Sequence, residues 1–467
     1  MRLFFITLFQ FVVYSSFSQN LIQTIRGKVL DKDSKTPLIG VTVSVGVGDN
    51  IKSASTDDQG NFRIEGVSVG RQNISFSYMG YKPVVMENVL VFSAKELVLN
   101  VEMEEALQQL DEVTISATKK DGTVNDMTIV SGRSFTVEEA DKYAASRQDP
   151  ARMAGNFAGV NSTSDARNDI VIRGNSPMGL LWRLNNVDIP NPSHFAAAGS
   201  TGGPISIINT KFLATSDFMT GAFPAEYGNA NAGVFDLTMR NGNNEKYEFT
   251  GQLGILGTEL AAEGPFSKKS KASFLATFRY STLEILQRTL NFSIGTDAVP
   301  RYGDASFKLN FPTKKAGTFS LFGIGGISTI DIVLSDTTIY QPAKLKKNQG
   351  SEELYGDQTR DQYFRTRMGV VGAQHVYSLT SKAYLSSTIA HSIQNINSTH
   401  FYIDRDSAFR PRLPLPRITG NNQTENRTSV ALVLNKKIDA RSSYKMGIYA
   451  SMYNFDFIDS VRFSDTA

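Results

Sequence analysis

Apolar and polar residues alternate along most of this chain, and the alternation changes character twice. Between residues 22 and about 103 it comes in short runs, IRGKVLD, GVTVSVG, NFRIEGV, QNISFSYMG, VVMENVLV and ELVLNVEME, broken by turns. That spacing predicts a small all-β sandwich over 22–105. Asp57-Asp58-Gln59-Gly60-Asn61 reads as its clearest hairpin turn, with Gly60 able to take a positive φ. Beyond Met103, LDEVTISA at 110–117 is a short β-prone segment, followed by a polar stretch at 118–122 that reads as linker. Thr136-Val137-Glu138-Glu139 has the form of a capping box opening a helix that runs to about Arg147, and Asp149-Pro150 opens a second. With strand-like segments at 170–173, 180–184 and 218–219, these predict a mixed α+β unit over 121–243.

From Tyr247 onward the runs lengthen. Tyr247, Phe249, Leu253 and Ile255 interleave with polar residues, as do Phe274, Ala276, Phe278 and Tyr280. Similar alternation recurs near 302–312, 317–328, 362–378, 382–394, 427–437 and 442–457, giving about nine strands if 247–266 folds as two. The connectors at 266–271, 312–316, 379–381 and 438–441 are short, while those at 282–300, 329–361 and 395–426 are long and polar. Tight turns and extended loops that alternate in this way belong to an outer-membrane β-barrel rather than a soluble sandwich. No stretch after the N-terminus offers 18 consecutive apolar residues, so a membrane-spanning reading of 245–467 requires a closed barrel.

The stretch GAFPAEYGNANAGVFDLTMRNG at 221–242 joins a polar turn, Pro224 to Asn229, to an alternating run, Val234 to Met239. Taken alone it fits equally well a hairpin in a soluble domain.

Composition narrows the chemistry. The chain of 467 residues is long enough for several domains, and a net charge of +3 gives no basic field suited to nucleic acid. There is no cysteine, and the four histidines, His194, His375, His391 and His400, form no metal-binding spacing. No metal and no cofactor are therefore expected, and no enzyme. Gly66-Val67-Ser68-Val69-Gly70 matches a hydrolase nucleophile pattern, but β-prone residues flank Ser68 on both sides, and Ser176 fails the pattern at Met178. Residues 1–18 combine Arg2, an apolar run from Leu3 to Tyr14 and the small residues Ser16 and Ser18, the order of a secretory signal peptide.

The succession of signal, sandwich, Asp-Glu-Val segment, α+β unit and barrel resembles a Bacteroidetes-type TonB-dependent outer-membrane receptor with an N-terminal carboxypeptidase-regulatory-like domain. GKVLDKDSKTPLIGVTVSV and STDDQGNFRIEGV resemble the regulatory-like, transthyretin-like sandwich, and LDEVTISA resembles the segment gripped by the energy-coupling protein. DPARMAGNFAGV, IRGNSPMGLLWRLNNVDIPNP and GAFPAEYGNANAGVFDLTMRNG resemble successive parts of the plug, and EGPF with SFLATFRYS the first barrel strands.

The resemblance implies energy-coupled uptake of a scarce small ligand across the outer membrane of a Gram-negative bacterium, with the N-terminal domain periplasmic. It implies coupling through Leu110, Asp111, Glu112, Val113, Thr114 and Ile115, in a segment spanning 106–120. It assigns Arg173, Gly174, Asp188, Pro224, Glu226, Tyr227 and Gly228 to the plug motif. Pro224 to Asn229 would end the plug, and Asn229 to Gly233 would lie closely against the barrel wall. His194 and Phe195, the bulky groups of the Gly/Ala-rich loop at 190–203, would face the ligand. The implied partners are a TonB-type complex, outer-membrane lipid and a possible surface lipoprotein, although Ala117-Thr118-Lys119-Lys120 stands where the starch-utilisation type has Gly-Tyr-Gly. The implied barrel has about 22 strands, so the chain is expected to be a C-terminally truncated, non-transporting fragment. The alternative is a surface-displayed adhesion or scaffold protein.

Overall fold

A computed structural model describes residues 21–462 except 47–50, 94, 107–122, 126, 129–130, 136–148, 163–166, 198, 255–256, 268–269, 283–299, 337–358 and 409. The expected signal peptide, the coupling segment at 110–115 and the helix expected at 136–147 lie outside the described residues. The chain divides into two compact units, Met1–Lys119 with Leu379–Tyr384 and Asn435–Tyr444, and Lys120–Ser378 with Leu385–Leu434 and Lys445–Ala467.

The first unit contains a β-sandwich. One sheet has the order β4 (Asn61–Ser68), β1 (Ile22–Asp31), β7 (Leu97–Met103), and the other β3 (Lys52–Ser55), β2 (Thr42–Val45), β5 (Gly70–Ser77), β6 (Val84–Val91). The inward positions of the alternating runs are apolar, so Ile25, Val29, Val43, Phe62, Ile64, Ile74 and Phe76 form a continuous core, while Met79 and Val98 are exposed. The Asp57 carboxylate accepts from the Gln59 and Asn61 backbone N–H groups at 2.9 and 2.7 Å and closes the hairpin. Strand β3 went unforeseen because Lys-Ser-Ala-Ser has no large apolar residue to reveal it. Ser68 ends β4 directly before β5 begins, so the strand-to-helix turn of a nucleophile elbow is not present there.

The second unit begins with a five-stranded mixed sheet of order β12 (Val187–Ile189), β11 (Leu180–Leu184), β16 (Gly233–Leu237), β15 (Ser216–Met219), β8 (Gly132–Phe135). Two small ribbons accompany it, β9 (Val160–Ser162) with β10 (Ile170–Ile172), and β13 (Ser193–His194) with β14 (Ile205–Ser206). Its described helix, α1, is only Pro150–Ala154, capped by Asp149, whose side chain accepts from Ala151 N at 2.9 Å. The plug therefore does not end at Asn229: β16 lies between β11 and β15, inside the plug sheet. Gly233 is small for a reason internal to the plug, since a Cβ there would lie 2.3 Å from Ile172 Cδ1 and 3.0 Å from Met219 O, not against the wall.

The wall is a nine-stranded antiparallel sheet in sequence order: β17 (Glu248–Leu253), β18 (Thr258–Pro265), β19 (Ser273–Tyr280), β20 (Arg301–Pro312), β21 (Thr318–Ile332), β22 (Arg360–Thr380), β23 (Ala383–Tyr402), β24 (Arg417–Lys437) and β25 (Ser443–Val461). Strands β23 and β24 extend well into 395–426, a span whose polar sequence predicts a long loop. The strand ends there are mostly polar, with only Ile396, Phe401, Tyr402 and Ile418 as large apolar groups, so the backbone ladder continues without the regular apolar stripe that reveals it. Nearer the short turns the two faces differ. Phe322, Ile324, Met368, Val370, Ala390 and Ala431 share one core with the plug. Leu321, Ile327, Val371, Ile389 and Leu432 point away from it and are exposed.

Candidate functional site

The plug sheet sorts its residues by face. Register places Asp188, Arg183, Asp236 and Asp217 side by side in one cross-strand row, while the next row, Ile189, Trp182, Phe235 and Phe218, points to the other face. The second row packs as an aromatic stack, with Trp182 and Phe235 ring centres 4.3 Å apart and Phe235 and Phe218 4.5 Å apart. The first row is a buried charged seam. Because side chains alternate with period two, a one-residue slip would exchange the charges with the aromatics, and both faces oppose it.

Arg183 is 1 % exposed and is held from several sides. Its guanidinium lies 4.9 Å from the Tyr227 ring centre and 4.6 Å from that of Tyr449 on β25, and Nη1 is 3.4 Å from Glu226 Oε2. Glu226 also pairs with Lys445 of β25 and accepts from Tyr449 Oη at 3.0 Å. Tyr227 donates to Asp236 at 2.6 Å. Burial raises the Asp236 carboxyl above its ordinary range, with Arg183 opposing that rise. Burial also raises the Glu226 pKa, but Lys445 and Arg183 outweigh it and hold the group below its usual value. Tyr227 is pushed up by burial and then by the Asp236 charge.

The described residues just after the coupling segment clip onto this seam. Val124 N and Asn125 N donate to the two oxygens of Asp217 at 2.8 and 2.7 Å. The Asn125 amide donates to Glu226 Oε1 at 2.7 Å and to Tyr227 Oη at 2.8 Å. Glu226 and Tyr227 thus meet the N-terminal segment on one side and the wall on the other. Pro224 shapes their turn by accepting from Tyr227 N at 3.0 Å. Asp188 belongs to the same seam, where Arg427 of β24 donates to it at 3.1 Å.

Arg173 and Gly174 sit apart. They form a tight turn after β10 with φ of 49° and 79°, and Arg173 Nη2 reaches Ser131 Oγ at 2.9 Å. A Cβ on Gly174 would meet nothing within 4 Å, so the positive φ, not space, calls for glycine there. Gly228 likewise has open space around it.

His194, expected on an open apex, is 1 % exposed and faces the wall. Its Nε2 lies 2.9 Å from Asp304 Oδ2 of β20, its ring is 4.7 Å from that of Tyr302, and Arg279 of β19 donates to the same Asp304 oxygen at 2.9 Å. A Cβ at Gly326 would come within 2.6 Å of the His194 ring, so a glycine on β21 makes room for it. Burial lowers the His194 pKa, with Asp304 opposing and Arg279 reinforcing the shift. Phe195 remains half-buried, its backbone N–H bound to Ser328 Oγ at 2.9 Å. Among the described residues no cluster of three or more His, Asp or Glu is disposed to hold a metal ion.

Sequence reading missed Arg183, Asp236, Asp217 and Asp304. A signal existed for the first two: Leu-Leu-Trp-Arg-Leu and Val-Phe-Asp-Leu each carry a single charge inside an apolar strand, and such a charge is buried only with a partner. Their pairing, and the Asp304 contact to His194, depend on tertiary proximity that no local pattern shows.

Known proteins resemble parts of this chain. Residues 25–115 match the CarboxypepD_reg-like domain family. The TonB-dependent transporter Oar of Myxococcus xanthus is 24% identical over 245 residues, covering 50% of this chain and 22% of the relative. The pyoverdine outer membrane receptor FpvA of Pseudomonas aeruginosa PAO1 superposes with a TM-score of 0.50 at 11% identity, covering 72% of this chain and 48% of that one. The chain thus spans about a fifth of the curated relative's length and about half of the solved receptor's. The matched domain, the transporter relative and the shared fold bear out the resemblance to TonB-dependent outer-membrane receptors that carry a carboxypeptidase-regulatory-like domain.

Proposed function

We propose that this protein serves energy-coupled uptake across an outer membrane, with 22–105 as a periplasmic domain, 121–243 as plug and 245–467 as part of the barrel wall. The observation that carries the reading is the clip of Val124 and Asn125 onto Asp217, Glu226 and Tyr227. It lies a few residues beyond the segment Leu110 to Ile115, whose β-prone sequence suits strand addition to the sheet edge of a TonB-type partner. Tension on that segment reaches Val124 first. Releasing it takes the Val124 and Asn125 N–H groups from the two Asp217 oxygens and the Asn125 amide from Glu226.

Among the described residues Glu226 then keeps Arg183, Lys445 and Tyr449, and water entering beside it can replace them. A charged seam is suited to this, because its groups regain hydration when they separate, whereas a parted apolar interface does not. The plug would leave the wall along the Arg183 seam and open a path for a small ligand first held near Phe195 at the long-connector end. A surface lipoprotein would cap that end.

The test is ligand uptake into proteoliposomes by the full-length gene product with and without residues 110–117. Deletion should abolish energised uptake and leave ligand binding intact. Uptake that survives the deletion refutes coupling through this segment, and no uptake by either form favours the adhesion or scaffold alternative.

A further inference from the structure

The outward face of the wall carries arginines at one height. Arg301 opens β20, pairs with Thr329 of β21, and Thr329 pairs with Arg365 of β22. In the adjacent outward row Ile327 pairs with Arg367. Alternation fixes the face. The intervening Asp304 and Thr366 turn to the plug, binding His194 at 2.9 Å and Ala196 O at 3.3 Å, whereas Ile327 and Val371 are 66% and 60% exposed. Arg301 and Arg365 both reach Asp331, at 2.9 and 3.2 Å, and Arg367 is exposed. Two guanidinium groups thus share one carboxylate, and with Arg367 beside them the patch is net positive.

The height is informative. Toward the short turns the same face carries an aromatic cluster, with Phe319 stacked on His375 at 4.2 Å and Tyr377 6.1 Å from His375. From Phe319 to Thr329 is about ten residue steps along one strand, which at ~3.4 Å per residue and a tilt of ~40° is about 25 Å of vertical distance. That is the height of the apolar band of an outer-membrane barrel, which aromatic residues flank. The outward positions between, Leu321, Gly323, Gly325 and Ile327 on β21 and Gly369, Val371 and Ala373 on β22, are uncharged. The arginines therefore stand where the acyl chains of a surrounding lipid end and its headgroup begins.

We propose that Arg301, Arg365 and Arg367 form a site for the phosphate-bearing headgroup of an outer-leaflet lipid, whose acyl chains lie on Ile327 and Val371. The inference rests on the reading of this sheet as membrane wall. Guanidinium suits the role because its fork binds phosphate oxygens in pairs and is weakly hydrated, so it tolerates the interface better than an ammonium group. Asp331 orients two of the three and lowers the net charge.

Native mass spectrometry of the full chain released from detergent with bis-phosphorylated lipid A tests this, with dephosphorylated lipid A and inorganic phosphate as controls. The phosphorylated lipid should be retained in preference. The triple variant R301Q/R365Q/R367Q should lower that preference about a hundredfold, from the three positive charges removed at an anionic surface. Asp331→Asn should strengthen retention severalfold, an opposite effect that misfolding would not produce. Equal retention by the triple variant, weakened retention by Asp331→Asn, or displacement by millimolar inorganic phosphate would each overturn the assignment. Flotation with neutral phosphatidylcholine vesicles separates the two readings. Wild type that floats without preferring the phosphorylated lipid overturns this site alone, and wild type that floats with no vesicle overturns the membrane wall as well.

Discussion

The sandwich and the plug bury their surfaces by different means. Inside the sandwich, Ile25, Val43, Phe62, Ile74 and Phe76 form one apolar core, and the ion pairs lie outside it, from the exposed Lys82 with Glu104 to the buried Arg26 with Glu96. Inside the second unit, Arg183, His194 and Asp304 are buried, and Glu226 and Asp236 half-buried, against one another and against wall residues. An apolar core holds a domain permanently, since parting it exposes hydrocarbon to water. A charged seam penalises the loss of any single partner but can be wetted as a whole, which is what a displaceable stopper requires.

The largest effect should come from Arg183→Met. Removing the cation leaves Asp236 and Glu226 buried with less compensation, a loss of about 3–5 kcal/mol. Thermal unfolding should register it, together with faster hydrogen exchange across 226–237. Next is Asp217→Asn, which weakens the two charge-assisted bonds from Val124 and Asn125. A loss of about 1.5–3 kcal/mol should appear as faster exchange at those two amides, with the sandwich unaffected.

A smaller effect concerns pH. Burial lowers the His194 pKa from 6.5, so the imidazole is neutral in the native state and the unfolded chain takes up the proton more readily. Its contribution to stability is present above pH 6.5 and is lost as pH falls below it. His194→Gln, which keeps an amide beside Asp304, should flatten that part of the stability profile. The smallest effect belongs to the sandwich surface, where Lys82→Ala should change stability by no more than about 1 kcal/mol. A larger loss there would erase the contrast between the two regions.

The parts legible in sequence were those with a local signature. Wall strands announce themselves because one face is apolar and the period is two, as at Phe274, Ala276 and Phe278 or from Phe319 to Ile327. The same rule fails beyond Asn395 and before Arg427, where residues such as Asn397, Asn421 and Gln423 continue the ladder in polar surroundings. Glu226 and Tyr227 are marked by the resemblance of their stretch, 221–242, to a plug. Their partners could not, since Asn125, Arg183 and Lys445 lie far apart in the chain and are assembled only by the plug sheet and the wall. His194 was read as exposed because its loop is rich in glycine and alanine. Those small residues do not show which way a ring points, and it is Gly326 on the distant wall that admits it.

The central claim is that tension on the N-terminal segment unfastens the plug at Val124 and Asn125 and leaves the wall intact. Single-molecule extension of the full-length, membrane-inserted protein from a handle at residue 111 measures this directly. The first rupture should release the chain up to the Asp217 clip, at a force lowered by Asp217→Asn and unchanged by Lys82→Ala. A first rupture within the wall strands, or one indifferent to Asp217→Asn, would contradict the account.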